Sequence, residues 1–399
     1  MQSTGPYAKL NKFFLFAYWS GSSIWLWRLA AIWYILVMFS FSDLFLKNVI
    51  EKKVINKERL SFDDGVALFK SDDLLGLGYL ANIVRERKNG QHAYFINNRH
   101  INHTNICKNL CRFCAFSKSK GEENAYAMTI EEILKAAESH NDGSVSEFHM
   151  VGGLHPDLPF SYYLDLLKAL RKRFPDVHIQ AFTAVEIAHL ADISGLTVRQ
   201  TLIELREAGL DSLPGGGAEI FDPGVREKIC PEKTSGEKWL EIMKTAHGLD
   251  IKSNATMLYG HVESVEDRVN HLIQLRDLQD NTGGFLAFIP LAFHPENTEL
   301  DNIDFTTGQL DLKVLAVSRL MLDNFPHIKA FWIMIGPKIA QLSLSFGVDD
   351  IDGTVVEEKI THAAGANTEE YIEKNHLISL IQEAGREPVE RDTLYNAVS

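Results

Sequence analysis

Between Asp43 and Asn89, apolar side chains recur at helical spacing over three segments, 43–56, 62–70 and 72–89. Ser61 and Ser71 stand ahead of acidic first turns, where a hydroxyl would cap the first free amides. From residue 92 the pattern changes. Short apolar, β-rich runs at 92–97, 146–151, 177–183, 210–214, 252–258, 285–291, 328–335 and 342–348 each predict a strand. Amphipathic stretches separate them at 129–140, 160–173, 197–208, 235–249, 264–281 and 311–324. Strand–helix alternation predicts a parallel sheet with helices outside it, and eight strands in this span match a (β/α)8 barrel in number and size. The expected class is α/β: short N-terminal helices over 38–90, then a barrel over 91–399 whose tail, from about residue 354, adds a last capping helix.

Residues 1–37 stand apart. The stretch 13–41 is mostly apolar, and four of the six tryptophans lie in the first 33 residues. Residues 1–50 hold four basic residues and one acidic one, leaving the strongly negative charge to the rest of the chain. The length would suit a membrane span. Arg28, however, would sit near its middle at a cost of about 2.5–3.5 kcal/mol. A cleavable signal peptide fits poorly, since no clean small-residue site follows. The favoured reading is that translation starts at Met38; a membrane anchor and an additional amphipathic helix are the others. Membrane contact is expected only through 13–41, and the remainder belongs in the cytoplasm.

Across 399 residues, 45% are apolar and 23% charged, which suits a globular chain with a large buried core. Forty basic residues against 53 acidic ones give −13, which argues against an extended nucleic-acid footprint. Four cysteines are too few for a disulfide scaffold. Three of them fall within eight residues, which points to a reducing compartment and a metal.

In such a barrel the chemistry sits on the loops that follow the strands. After the first strand comes the run His103 to Cys114, with Cys107, Cys111 and Cys114 spaced to converge three thiolates. Thiolates suit iron–sulfur clusters or zinc. The fourth cysteine, Cys230, lies in a different loop and is expected to be a small buried apolar residue. Three protein ligands leave a metal centre open to a substrate; a zinc site closed by His103 or His100 is the alternative.

The C-x3-C-x2-C run, with Phe113 before its last cysteine, resembles the signature of the radical S-adenosylmethionine enzymes, whose fold is a full or partial βα barrel. The resemblance implies a [4Fe–4S] cluster on Cys107, Cys111 and Cys114, one per chain, with the open iron taken by S-adenosylmethionine. One electron then yields methionine and a 5′-deoxyadenosyl radical, which the barrel shields from water. By the same resemblance Gly152 and Gly153 meet the methionine part, while Thr256, Leu258 and Glu263 lie near the adenine. Thr256 replaces the family's usual glycine. Glu186 and Glu219 are acceptors at strand ends for ribose hydroxyls or substrate, or else solvated loop residues or helix N-cap partners.

Further runs at 151–159, 213–219, 225–233, 259–263, 278–284 and 288–298 resemble the radical enzymes of the futalosine route to menaquinone. That resemblance extends from about Phe39 to the C-terminus. It implies that the radical adds to the enol ether 3-[(1-carboxyvinyl)oxy]benzoate to give 6-amino-6-deoxyfutalosine. S-adenosylmethionine is then a consumed substrate, and a flavodoxin or ferredoxin supplies the electron. Sister groups, the cyclic dehypoxanthine futalosine synthases and the coenzyme F420 enzymes, abstract hydrogen instead. The stretches 152–156 and 292–295 favour addition. Two substrate carboxylates call for cationic or hydrogen-bonding groups, and His155, Arg226, His261, His294 and Lys338 are candidates by loop position. Arg226 has the alternative of pairing with Glu227 or Glu232. His155 and His294, each before a proline, join Glu219 as candidates for catalysis. Asp349, Asp350 and Asp352 are expected on a solvated loop after the last strand, with substrate hydrogen bonding the lesser option.

Overall fold

The computed structural model describes residues 41–139 and 144–398, so the expectations for residues 1–37 lie outside it. A π-helical turn Leu46–Ile50 leads into helices Glu51–Asn56, Phe62–Lys70 and Leu74–Asn89. The helix from Phe62 starts as expected: Ser61 accepts the Asp64 N–H, and the Asp64 carboxylate accepts the Ser61 N–H at 2.8 Å. The next helix differs. Its cap is Asp73, which accepts from Gly76 N at 2.9 Å, while Ser71 donates its hydroxyl to Asp43 at 2.7 Å. A carboxylate at the helix start both satisfies free amides and complements the dipole, so Asp73 takes the position.

The strands are β1 (His92–Ile96), β2 (Asn98–Ile101), β3 (Glu147–Met150), β4 (His178–Ala181), β5 (Ser212–Leu213), β6 (Lys252–Tyr259), β7 (Phe285–Ala292), β8 (His327–Ile328), β9 (Asp350–Gly353) and β10 (Glu387–Arg391). Strands β2 to β8 form one parallel sheet in sequence order, curled as a partial TIM-type barrel. A second parallel sheet has the order β10-β1-β9. The segment around β9 spans the gap between β8 and β2. Ala330 N donates to Asp350 O at 2.8 Å, and His100 N donates to Val356 O at 3.2 Å.

Helices pack outside the sheet where the amphipathic stretches predict them: Ile130–Glu138, Phe160–Arg173, Val198–Ala208, Gly236–His247, Val265–Thr282 and Gly308–Met321. Ala184–Ser194, Pro223–Ile229, Trp332–Ser343 and Lys374–Glu383 are further helices. Thr129, Thr183, Thr197 and Ser264 each begin one with a reciprocal capping box. Among the described residues no helix is long and apolar enough to cross a membrane.

The last two expected strands are corrected. The strand ends at Ile328, and the second half of 328–335 together with the start of 342–348 belongs to helix Trp332–Ser343. That helix breaks at Gly336 (φ 78°), ahead of Pro337, which has no N–H to continue the ladder. The strand near the end of the barrel is β9, Asp-Ile-Asp-Gly, which carries no apolar signature. Its acidic neighbourhood is buried rather than solvated. Asp349 pairs with Arg319 and His327, Asp350 with Arg391 (2.6 Å) and the Tyr395 hydroxyl (2.6 Å), and Asp352 with Lys329 (3.2 Å).

Asp349 and Arg319 are both fully buried. Replacing Asp349 with Ala strands the guanidinium without its counter-charge, and the expected loss is about 3–5 kcal/mol of unfolding free energy in a urea titration. Burial pushes the Asp349 carboxyl up, but Arg319 and His327 hold it below its ordinary value. Its contribution is therefore present at neutral pH and is lost as pH falls through that lowered folded value.

Candidate active site

The loop between β2 and helix Ile130–Glu138 carries the three thiols, and backbone hydrogen bonds hold it against its neighbours. Cys107 N donates to Lys118 O (3.0 Å), Lys108 N to Leu154 O (3.0 Å) and Arg112 N to Ile229 O (2.9 Å). Leu110 adopts a left-handed φ of 41°, which turns the chain between Cys107 and Cys111. All three cysteines are free and line one cavity of about 300 Å³. Burial pushes the Cys111 thiol up to about 12, so it becomes a thiolate only against a metal. Among the described residues no three His, Cys, Asp or Glu groups converge closely enough to hold a single ion. Three thiols on one loop and one cavity wall suit a cluster, in which each thiolate meets its own iron. His103 and His100 have aromatic neighbours. The His103 ring packs edge-on to Tyr163 and Phe182, and His100 stacks on His149.

Gly152 and Gly153 form the wall beside the thiols. A Cβ on Gly152 would lie 2.5 Å from the His103 ring, and one on Gly153 would lie 2.3 Å from Ile106 O. Glu186 stands at the start of helix Ala184–Ser194, where it closes the capping box with Thr183 and accepts the Gly152 N–H at 3.1 Å. Burial pushes its carboxyl up to about 7 in spite of these hydrogen bonds. Glu219, with a left-handed φ of 48°, accepts from the Lys233 ammonium at 2.6 Å. Burial alone would lower the Lys233 pKa, but Glu219 holds it above the ordinary lysine value. Lys233 also sits 5.0 Å over the Phe113 ring, which couples this ion pair to the cysteine loop. Thr256 donates its hydroxyl to Gly215 O at 2.8 Å, and Leu258 lines the cavity beside it. The His294 ring donates through Nε2 to Met334 O at 2.9 Å, and its Nδ1 has no partner among the described residues.

Other sequence candidates lie elsewhere. His155 is not in the cavity wall: its Nδ1 accepts the amides of Asp157 (3.1 Å) and Leu158 (3.2 Å). Glu263 accepts the Gly260 and His261 amides and pairs with Arg268 at 2.6 Å, with its side chain fully buried. His261 folds back on Leu258 O. Arg226 ties down the carbonyls of Ala218, Ile220 and Thr234. Lys338 is exposed. In each case a loop backbone or solvent satisfies the polar group. Cys230 is buried at the end of helix Pro223–Ile229, as expected.

The cavity also holds Lys233, Lys329, His149 and Phe331, which sequence reasoning passed over, together with His100 and Asp352, which it had placed in other roles. A signal for the two histidines existed. In β3 polar and apolar residues alternate (Glu147 and His149 against Phe148 and Met150), the mark of a polar interior stripe on a barrel strand, and Asn98 and His100 hold the matching positions in β2, where Arg99 masks the alternation.

Three thiols without a closing fourth ligand leave a metal centre open, and a parallel barrel surrounds it. Fold and site thus define a radical enzyme that works through an iron–sulfur cluster and S-adenosylmethionine. Residues 101–275 match the model of the radical SAM superfamily, and 282–399 match the CofH/MqnC C-terminal region. The chain is 50% identical over 353 residues to aminodeoxyfutalosine synthase of Thermus thermophilus, covering 88% of this chain and 95% of that one. To the Streptomyces coelicolor aminodeoxyfutalosine synthase it is 46% identical over 364 residues, 88% of this chain and 94% of the relative. The crystal structure of methylornithine synthase shares the fold, with TM-score 0.68 at 20% identity over 85% of this chain and 96% of that one. The chain belongs to the radical SAM superfamily and, within it, to the branch that contains the aminodeoxyfutalosine synthases.

Proposed function

We propose that the chain transfers the 5′-deoxyadenosyl radical of S-adenosylmethionine to the enol-ether double bond of 3-[(1-carboxyvinyl)oxy]benzoate. Rearrangement and loss of the carboxyl group give 6-amino-6-deoxyfutalosine, with methionine released. The observation that carries this reading is the 50% identity across 95% of the Thermus thermophilus synthase, which spans both walls of the cavity. A [4Fe–4S] cluster on Cys107, Cys111 and Cys114 supplies the electron for that cleavage, drawn from a flavodoxin or ferredoxin in a reducing cytoplasm.

The chain's own residues bind and orient. Gly152 and Gly153 border the methionine part with backbone alone, packed too close to His103 and Ile106 for any side chain. Glu186, neutral or charged near pH 7, exchanges hydrogen bonds with ribose hydroxyls. Thr256, held on Gly215, and Leu258 border the adenine. Lys233 holds the Glu219 carboxylate at the cavity wall, where it accepts a substrate hydrogen bond. With Nε2–H given to Met334 O, His294 keeps its Nδ1 lone pair to accept a proton or hydrogen bond. Phe116, Leu154, Ile289 and Phe293 make the remaining wall apolar and exclude water. His155 and Glu263 take roles in holding loops.

Isotope-labelled adenosine carbons from S-adenosylmethionine are expected in the main product, one nucleoside per turnover, by mass spectrometry of an anaerobic reaction with the enol ether. Free 5′-deoxyadenosine should be minor. If it forms stoichiometrically with no adenosylated product, the chain joins the hydrogen-abstracting sister groups.

A further inference from the structure

Deep in the cavity, below the cysteine loop, four side chains from three parts of the barrel meet. His100 on β2 and His149 on β3 are cross-strand partners in register, so their side chains leave the sheet at the same height. Their rings stack with centroids 4.6 Å apart and planes 21° apart. Phe331 lies parallel to His100, with centroids 6.1 Å apart and planes 8° apart. All three rings line the cavity. The outer face of this stack is a shelf suited to offset stacking with another aromatic ring.

Lys329 stands beside this shelf. Its ammonium donates to Asp352 at 3.2 Å, and both side chains are only 7% exposed. An ammonium has three N–H donors, and this pair uses one. Lys233 and Lys329 are the lysines of the cavity wall among the described residues, and Glu219 already holds Lys233 at 2.6 Å. Both ammoniums keep donors to spare, but Lys233 lies over Phe113 at the cysteine loop, and Lys329 is the one next to the stacked aromatic rings. Of the sequence candidates for a carboxylate clamp, His294 lines the cavity, and His155, Arg226, His261 and Lys338 do not.

We infer that the His149–His100–Phe331 shelf and Lys329 form the subsite for an aryl carboxylate, the benzoate half of the acceptor. The ring lies on the shelf, and the ring carboxylate accepts from the free donors of Lys329. This assignment rests on the functional reading above, and it says which end of the acceptor enters first.

Titration calorimetry of the cluster-loaded enzyme with 3-hydroxybenzoate and with 3-hydroxybenzamide tests it. The carboxylate is expected to bind about 30-fold more tightly or better, the scale on which a buried charge contact is lost when one partner is removed. Lys329→Met should erase that preference, bringing the two probes within threefold of each other. Phe331→Leu should weaken both probes alike. In turnover, Lys329→Met should raise the KM for the acceptor by about the same 30-fold. Equal binding of the two probes to the unaltered enzyme overturns the subsite even if the Lys329 variant fails to fold, and so does a variant that keeps the preference. Failure of the functional reading looks different: no adenosylated product forms from the unaltered enzyme, whatever the probes show.

Discussion

Alanine at Cys107, Cys111 or Cys114 is expected to abolish both the reduced-cluster EPR signal and turnover, whereas Cys230→Ala should leave both largely intact. The asymmetry follows from position. The first three thiols share one loop and one cavity wall, whereas Cys230 comes from another loop and does not line that wall. Each thiolate of such a cluster holds a separate iron, so losing one opens the cluster to solvent and breakdown. Cys230 is a buried thiol at the end of helix Pro223–Ile229, only 1% exposed and outside the cavity wall. Iron content, EPR after anaerobic reduction and product formation measure the outcome together. Loss of the cluster in the Cys230 variant would make it a ligand and displace one of the other three.

Gly153→Ala is expected to lower turnover by about 100-fold or more, although no reactive group is touched. The new Cβ would lie 2.3 Å from the Ile106 oxygen, 2.7 Å from its carbonyl carbon and 3.1 Å from the Asn105 carbonyl carbon. These are backbone atoms immediately before Cys107, so relief of the clash must move a cluster ligand rather than rotate a side chain. Gly153 N also donates to Thr104 O at 2.8 Å, which ties the same two loops together. A displacement on the order of 1 Å at a reacting centre is enough for that loss. Gly248→Ala is the control: its φ is −68°, and the nearest atom to an added Cβ is 3.5 Å away, so stability should change by less than about 0.5 kcal/mol. Reconstituted iron per chain and steady-state turnover report the effect. Normal values for Gly153→Ala would mean that the 105–107 segment has slack to give.

Much of the architecture is legible in short-range patterns. Helices Ile130–Glu138, Gly236–His247, Val265–Thr282 and Gly308–Met321 show apolar spacing and Ser or Thr caps within a few residues, because capping and amphipathicity are local. The cysteine triplet is legible for the same reason: three ligands within eight residues need only one loop to bring them together. Helix Trp332–Ser343 misleads, since an apolar run in an α/β chain suits either a buried strand or a buried helix. Strand β9 hides because two of its four residues are aspartates.

The spacing of residues along the chain was enough to determine an α/β barrel and the loop that carries its thiols, while the glycine pair stood out only through the family resemblance. Closure of the barrel settled the rest. It buried Asp349 and Asp350 against Arg319 and Arg391, set Lys329 beside His100 and His149, and paired Lys233 with Glu219. It also turned His155, His261 and Arg226 toward loop amides and carbonyls. These partners come from segments far apart in sequence, and each buried charge or ring nitrogen is stable only where a complementary group arrives to meet it. Which polar residue faces the substrate is therefore a property of the closed ring of strands, and no local spacing encodes it.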